Sequence, residues 1–221
     1  MRRVSLAPVA SVGSLAVTVL SAGIATGLLL GRYALPTLHS SMAPWILARG
    51  FGLAAAATLT ALVVTGLLRT HPLLRRRGQP ASRGLLQLHA TLGAATICLL
   101  AAHVVATCAD RWAKVGVVGA LVPFTSPWRT TAIAWGTIAL WLVVLISITT
   151  ALSASWCRRR WLSVHRLATI AFVATWCHGV AAGSETSQLR LVYALAGAVV
   201  LGLWGSKVVA ERRSLVVSPR S

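Results

Sequence analysis

The sequence predicts an all-α, polytopic membrane protein, a bundle of six transmembrane helices. Hydrophobic residues make up 57% of the 221 positions, and mean hydropathy is +0.77. Charged residues make up only 11%, against about 25% in soluble domains. The charges fall between long uncharged intervals, each close to the roughly 20 residues that a helix needs to cross the hydrocarbon core. In lipid, an open chain satisfies its backbone groups only as helix.

The intervals give the spans in order. The first runs over roughly 8–31 and ends at Arg32. It follows the charge order of a signal peptide, Met1-Arg2-Arg3, but it is longer than the 7–15 apolar residues of a signal core. A retained first helix is therefore expected. The second covers about 46–68, with Arg49 near its start. The third lies between Arg83 and Asp110, and the fourth between Arg129 and Arg158. The fifth covers about 162–183, with Arg166 in its first turns. The sixth, about 190–206, is the shortest. Between Arg111 and Arg129 the run Val117 to Phe124 suggests a short helix lying in the membrane interface as a cap.

Net charge is +18, from 21 basic and 3 acidic residues. Charges set between apolar spans do not form a basic face, so nucleic acid binding is set aside. They orient the chain and meet lipid headgroups instead. With both termini cytoplasmic, 15 of the 21 cations fall inside. Arg32, Arg49, Arg111, Lys114, Arg129 and Arg190 remain outside. This asymmetry predicts a multi-pass protein of the plasma membrane with cytoplasmic ends. Trp45, Trp112, Trp128, Trp156 and Trp161 lie near span ends, as interfacial anchors do. The four cysteines form no CxxC pair, which leaves zinc and thioredoxin chemistry unsupported, and Cys98 and Cys177 read as packing residues.

Six histidines occur. His39 and His71 fall in loops and read as solvated or headgroup-facing. The other four lie only on the third and fifth spans, which run in the same direction. His89 and His165 lie six and five residues past the basic residues Arg83 and Arg160. His103 and His178 each lie seven residues before an acid, Asp110 and Glu185. The four therefore share two depths, His89 with His165 and His103 with His178. A haem clamped between parallel helices needs one imidazole from each at matching depth, and this is met twice. The separations are 14 and 13 residues, or roughly 21 and 20 Å. Fourteen helical steps return to within about 40° of the same face, whereas thirteen miss by about 140°. The second case calls for a bend in the fifth helix or a sideways offset. The acids lie at span edges or in the tail, so a proton relay has no intramembrane carboxylate to use.

Leu88-His89, His103, Ala109-Asp110, Leu121-Val122-Pro123-Phe124 with Ser126-Pro127, His165-Arg166 and His178-Gly179 with Ala182-Gly183 together resemble the ferric reductase-like transmembrane domain. That superfamily takes in NADPH oxidases, iron reductases and the haem-binding membrane subunit of methionine-sulfoxide reductase systems. The resemblance covers about residues 44–210, the core of a transmembrane domain over 1–210 that leaves a short cytoplasmic tail over 211–221. It implies two b haems between the third and fifth helices, with His89 and His165 as axial ligands of the inner one and His103 and His178 of the outer one. Family enzymes often continue into a flavin and nicotinamide domain. About a dozen residues follow the last span here, with no Gly-rich nucleotide loop. An oxidoreductase-type electron-transfer subunit, supplied by a partner, is the expectation.

The expected function is transmembrane electron transfer. The donor is a cytoplasmic flavoprotein, bringing FMN or FAD, or a quinol. The acceptor is extracytoplasmic, such as a ferric chelate or a partner protein. Two axial imidazoles fill both open iron positions and favour outer-sphere transfer. Haem propionates need cations in a low-dielectric setting. Arg49 and Arg166 are the leading candidates, with Arg83, Arg111 and Arg129 behind them. Three alternatives stand beside this reading: a haem-bearing anchor subunit exchanging electrons with quinone for a partner enzyme, a non-redox membrane protein with packing histidines, and a haem transporter.

Overall fold

A computed structural model describes residues 40–72, 81–153, 158–183 and 186–217. Nearly all of them belong to one compact unit, Pro44–Ser221. The expected first span lies outside the described residues.

The described residues form seven helices and no strand: α1 (Ala43–Thr70), α2 (Ala81–Ala109), α3 (Gly116–Leu121), α4 (Thr130–Ala151), α5 (Arg158–His165), α6 (Ala168–Ala182) and α7 (Thr186–Val217). Four stretches are long and apolar enough to cross a membrane: Ala43–Thr70, Arg83–Ala109, Thr130–Ala151 and Thr186–Arg213. The chain is a multi-pass membrane protein. Apolar residues point outward, as lipid demands: Leu191 on α7 is 70% exposed and Val105 on α2 is 69% exposed. Cys98 is exposed on α2 as well, so it is not the packing residue that its apolar neighbours suggested.

Two departures from the sequence reading concern helix length. The last span is the longest of the described helices, not the shortest span. Breaking it at charges cut it at Arg190 and Lys207, both of which lie on the helix. Lys207 keeps its ammonium in polar company by donating to Thr70 Oγ1 at 2.9 Å and by pairing loosely with Glu211 at 3.9 Å. The same extension explains His71. Rather than facing solvent, its ring is buried, with Nε2 3.2 Å from Ser206 Oγ on α7. The second departure is the fifth span, which is two helices, α5 and α6, with a joint between them.

The core is built by small and branched residues. Leu59, Val63 and Leu67 on α1 meet Phe172 on α6 and Val200 on α7. At the other end Ala113, Val115, Ala120 and Ile133 form a second cluster beneath α3. The expected interfacial helix is α3. It buries Gly119 and Ala120 and leaves Val117 and Val118 exposed. A Cβ on Gly119 would lie 3.1 Å from Ser126 Cα, so glycine eases the close approach of the two arms of this loop. Asp110 is buried at the loop entrance, where its carboxylate accepts the N–H groups of Trp112 and Ala113 at 3.2 and 2.8 Å. From α4, Thr137 Oγ1 donates to Ala120 O at 3.2 Å and Trp141 Nε1 donates to Leu121 O at 2.8 Å. Trp141→Phe removes the second tie, a hydrogen bond of about 1 kcal/mol. Faster hydrogen exchange confined to residues 116–122 is expected. Unchanged exchange there would show that the tie is idle.

Candidate functional site

The helices carrying the four histidines, α2 and α6 with the α5 segment before it, do not pack closely backbone to backbone. Imidazole rings occupy the space between them. His89 faces His165 with ring centres 6.1 Å apart, and His103 faces His178 at 6.2 Å. The structure brings together the pairs that depth suggests. A metal–imidazole bond is about 2.0–2.1 Å. Two such bonds, with a little over an ångström from each ring nitrogen to its ring centre, add to the separation seen in both pairs. The separation of the ring centres in each pair is thus of the size that a metal ion held between two imidazoles would need.

Tautomers are fixed by what the Nδ1 atoms meet. His103 Nδ1 lies 2.6 Å from Ala48 O on α1, and His178 Nδ1 lies 2.8 Å from Ala132 O on α4. A carbonyl only accepts, so both Nδ1 atoms carry the proton. His89 Nδ1 lies 3.0 Å from Thr65 Oγ1, whose single proton is directed to Leu62 O at 2.9 Å. The hydroxyl therefore accepts from His89. In these three rings Nε2 keeps its lone pair, and it makes no hydrogen bond among the described residues. Metal-bound histidine uses its second nitrogen in this way, as a donor to a carbonyl or another acceptor that orients the ring. His165 differs. Its Nδ1 is buried without a hydrogen-bond partner among the described residues, and its ring lies against Trp161, tilted, with centres 5.0 Å apart.

Glycines make room for three of the rings. A Cβ on Gly52 would lie 2.9 Å from His103 Nδ1, and one on Gly136 would lie 2.7 Å from His178 Nδ1. On Gly66 it would lie 3.1 Å from His89 Cε1. Each glycine stands four residues after the carbonyl that ends its hydrogen-bond chain: Ala48 and Gly52, Ala132 and Gly136, Leu62 and Gly66. Removing the methyl from the next turn of the helix opens the approach to that carbonyl. Sequence reasoning missed this cradle, although it left a trace. Gly52 and Gly66 are 14 residues apart, the same spacing as His89 and His103 on the facing helix.

The joint between α5 and α6 answers the phase problem of the fifth span. Leu167 N–H donates to Val164 O at 2.9 Å and Thr169 N–H to Arg166 O at 3.3 Å, bonds three residues long. These tight turns interrupt the α ladder between His165 and His178 and rotate one half against the other. A joint thus stands between the two histidines, each of which faces its partner on α2.

Of the proposed propionate partners, Arg49 lines the cavity that holds His103 and His178, with its guanidinium 5.4 Å from the Trp45 ring centre. Arg166 is exposed at the joint, and Arg83 and Arg111 are exposed too. Arg129 has a different task. Its Nη1 donates to Ala181 O at 2.7 Å, capping the C-terminal end of α6, while its guanidinium stacks over Trp128 at 5.1 Å. The expected anchors Trp45, Trp112 and Trp128 form one cluster, with centres 5.0 and 5.7 Å apart, and Trp156 lies outside the described residues. One cation went unnoticed in the sequence. Arg69, three residues past Gly66, acts electrostatically on both His89 and His165.

No curated protein and no solved structure matches the chain. The family model of the ferric reductase like transmembrane component matches residues 51–176, more than half of the sequence. The match takes in Gly52, Gly66, His89, His103, Gly136 and His165 and stops two residues short of His178. With this match laid over the two imidazole pairs, the chain belongs to the ferric reductase-like transmembrane family.

Proposed function

We propose that this protein is a transmembrane electron conduit of six spanning helices, holding two b-type haems, with both termini in the cytoplasm of a plasma-membrane protein. The observation that carries the reading is the two pairs of facing imidazoles, with ring centres 6.1 and 6.2 Å apart. The haem iron supplies a one-electron couple when bound. His89 and His165 hold the centre nearer the cytoplasm, and His103 and His178 the outer one. With an imidazole supplied from each side, a bound haem would have no position left for oxygen or substrate and would exchange electrons without binding either.

The chain's other residues serve this placement. Ala48, Ala132 and Thr65 fix ring orientation and keep Nε2 available. Arg49 offers a guanidinium to a propionate of the outer haem, and Arg166 does so at the cytoplasmic level. Ala120 of the α3 cap and the tryptophans Trp45 and Trp128 line the cavity that holds His103 and His178. Arg111 and Lys114, exposed in the outer loop, draw an anionic acceptor such as a ferric chelate. A cytoplasmic flavoprotein or a quinol delivers the electrons.

The packing-histidine alternative gives no use to the Nε2 lone pairs that the Nδ1 hydrogen bonds of His89, His103 and His178 leave free. Purified protein is expected to show a reduced b-type spectrum with two haems per chain. His103→Ala should retain one of the two. A colourless, folded protein would end the proposal.

A further inference from the structure

We infer that the groove between α4 and α6, at the membrane surface where α4 begins, holds one anionic phospholipid, with its phosphate on Arg129 and an acyl chain between Trp135 and Trp176. The groove shares no lining residue with the cavity that holds His103 and His178. The inference therefore stands apart from the electron-transfer reading.

The groove measures about 570 Å³ and is open outward. Its floor and walls are apolar. Trp176 is fixed on one side by Nε1 donating to Tyr193 O at 2.9 Å, and Trp135 on the other is 42% exposed. Among the described residues, Arg129 is the one charged side chain that lines it. A single cation at the end of an apolar groove matches an amphiphile with an anionic head. A free phosphate would leave the apolar length empty, and a neutral chain would leave the guanidinium unpaired.

Arg129 is ordered in advance. Its Nη1 donates to Ala181 O at 2.7 Å and its guanidinium lies over Trp128 at 5.1 Å. That tie uses one of the five N–H donors of a guanidinium, and the planar fork suits phosphate oxygens. A side chain held this way loses little rotamer freedom when a ligand arrives.

Depth agrees with the assignment. Trp135 stands six residues after Arg129 on α4, about 9 Å further into the membrane. The headgroup layer is about 5–8 Å thick on each side of the hydrocarbon. A phosphate at Arg129 thus brings the first acyl carbons to the level of Trp135. Ala132 also lines the groove, and its carbonyl accepts from His178 Nδ1. A lipid in place braces the two helices that this hydrogen bond joins.

The test is native mass spectrometry of the full chain released from nanodiscs of equal phosphatidylglycerol and phosphatidylcholine content. One retained phospholipid per chain is expected, with phosphatidylglycerol preferred by about tenfold, the worth of a hydrogen bond to a charged group. Arg129→Gln should abolish the preference. Arg190→Gln, which removes an exposed cation outside the groove, should keep it. Val180→Phe narrows the groove, leaves every cation in place and should lower retention of both lipids. This variant keeps the inference open to test if Arg129→Gln loosens the end of α6. Equal retention of the two lipids, loss of the preference in Arg190→Gln, or full retention in Val180→Phe would each overturn the inference. A lipid-free dimer would overturn it too, by showing that a second copy covers the groove. None of these readouts depends on haem content, so such a failure would leave the electron-transfer reading standing.

Discussion

Replacing Gly136 by alanine is expected to remove one of the two haems without altering a ligand. The new methyl would lie 2.7 Å from His178 Nδ1, 2.9 Å from Cε1 and 3.0 Å from Cγ. The ring lies against α4 to reach Ala132 O, so it cannot keep its hydrogen bond and make room. In an ordinary helix interior the same change is favourable by about 1 kcal/mol, because alanine is the better helix former. Helicity should therefore hold while haem content falls from two per chain to one, read by pyridine haemochrome and circular dichroism. Gly50→Ala is the control. Nothing lies within 4 Å of its would-be Cβ, and it should keep both haems. Retention of two haems by Gly136→Ala would show that the His178 ring is not held where the structure places it.

A single alanine inserted after Leu167 is expected to have an equally large effect by a different route. One extra helical residue turns α6 by about 100° and advances it by about 1.5 Å. His165, before the insertion, stays opposite His89. His178, after it, is carried away from His103 and from Ala132 O. One haem should be lost, and it should be the one that His103→Ala also loses. The same insertion after Arg213, near the far end of α7, should leave both. If the inserted chain binds two haems, the joint at Arg166–Leu167 absorbs the extra residue and does not set the phase.

Much of this architecture was legible in the sequence because lipid makes composition decisive. Uncharged intervals gave the helices that α1, α2 and α4 became, and the run from Val117 gave the cap. Depth along two parallel spans gave the histidine pairs. The rest was hidden for physical reasons. Charge marks where a helix meets water only if the side chain is short, and Lys207 reaches polar partners from within α7. The joint between α5 and α6 carries no proline or glycine, the usual signs of a break. The acceptors of His103 and His178 are backbone carbonyls, which every residue has. What singles out Ala48 and Ala132 is a glycine one turn later, a signal visible only once the facing helix is known. Arg129 stands beside the outer centre in sequence and topology, yet its guanidinium is committed to Ala181 O.

The distance between the two levels has an electrical consequence. His89 and His103 stand 14 residues apart on one helix, roughly 21 Å within a hydrocarbon layer about 30 Å thick. An electron passed between them crosses about two-thirds of the transmembrane voltage drop. At about 2.3 kcal/mol per charge per 100 mV, that is about 1.6 kcal/mol for each 100 mV, more than tenfold in the distribution between the two levels. On the proposed electron-conduit reading, a cell interior held negative would push electrons outward by that amount, and throughput would follow the energised state of the membrane.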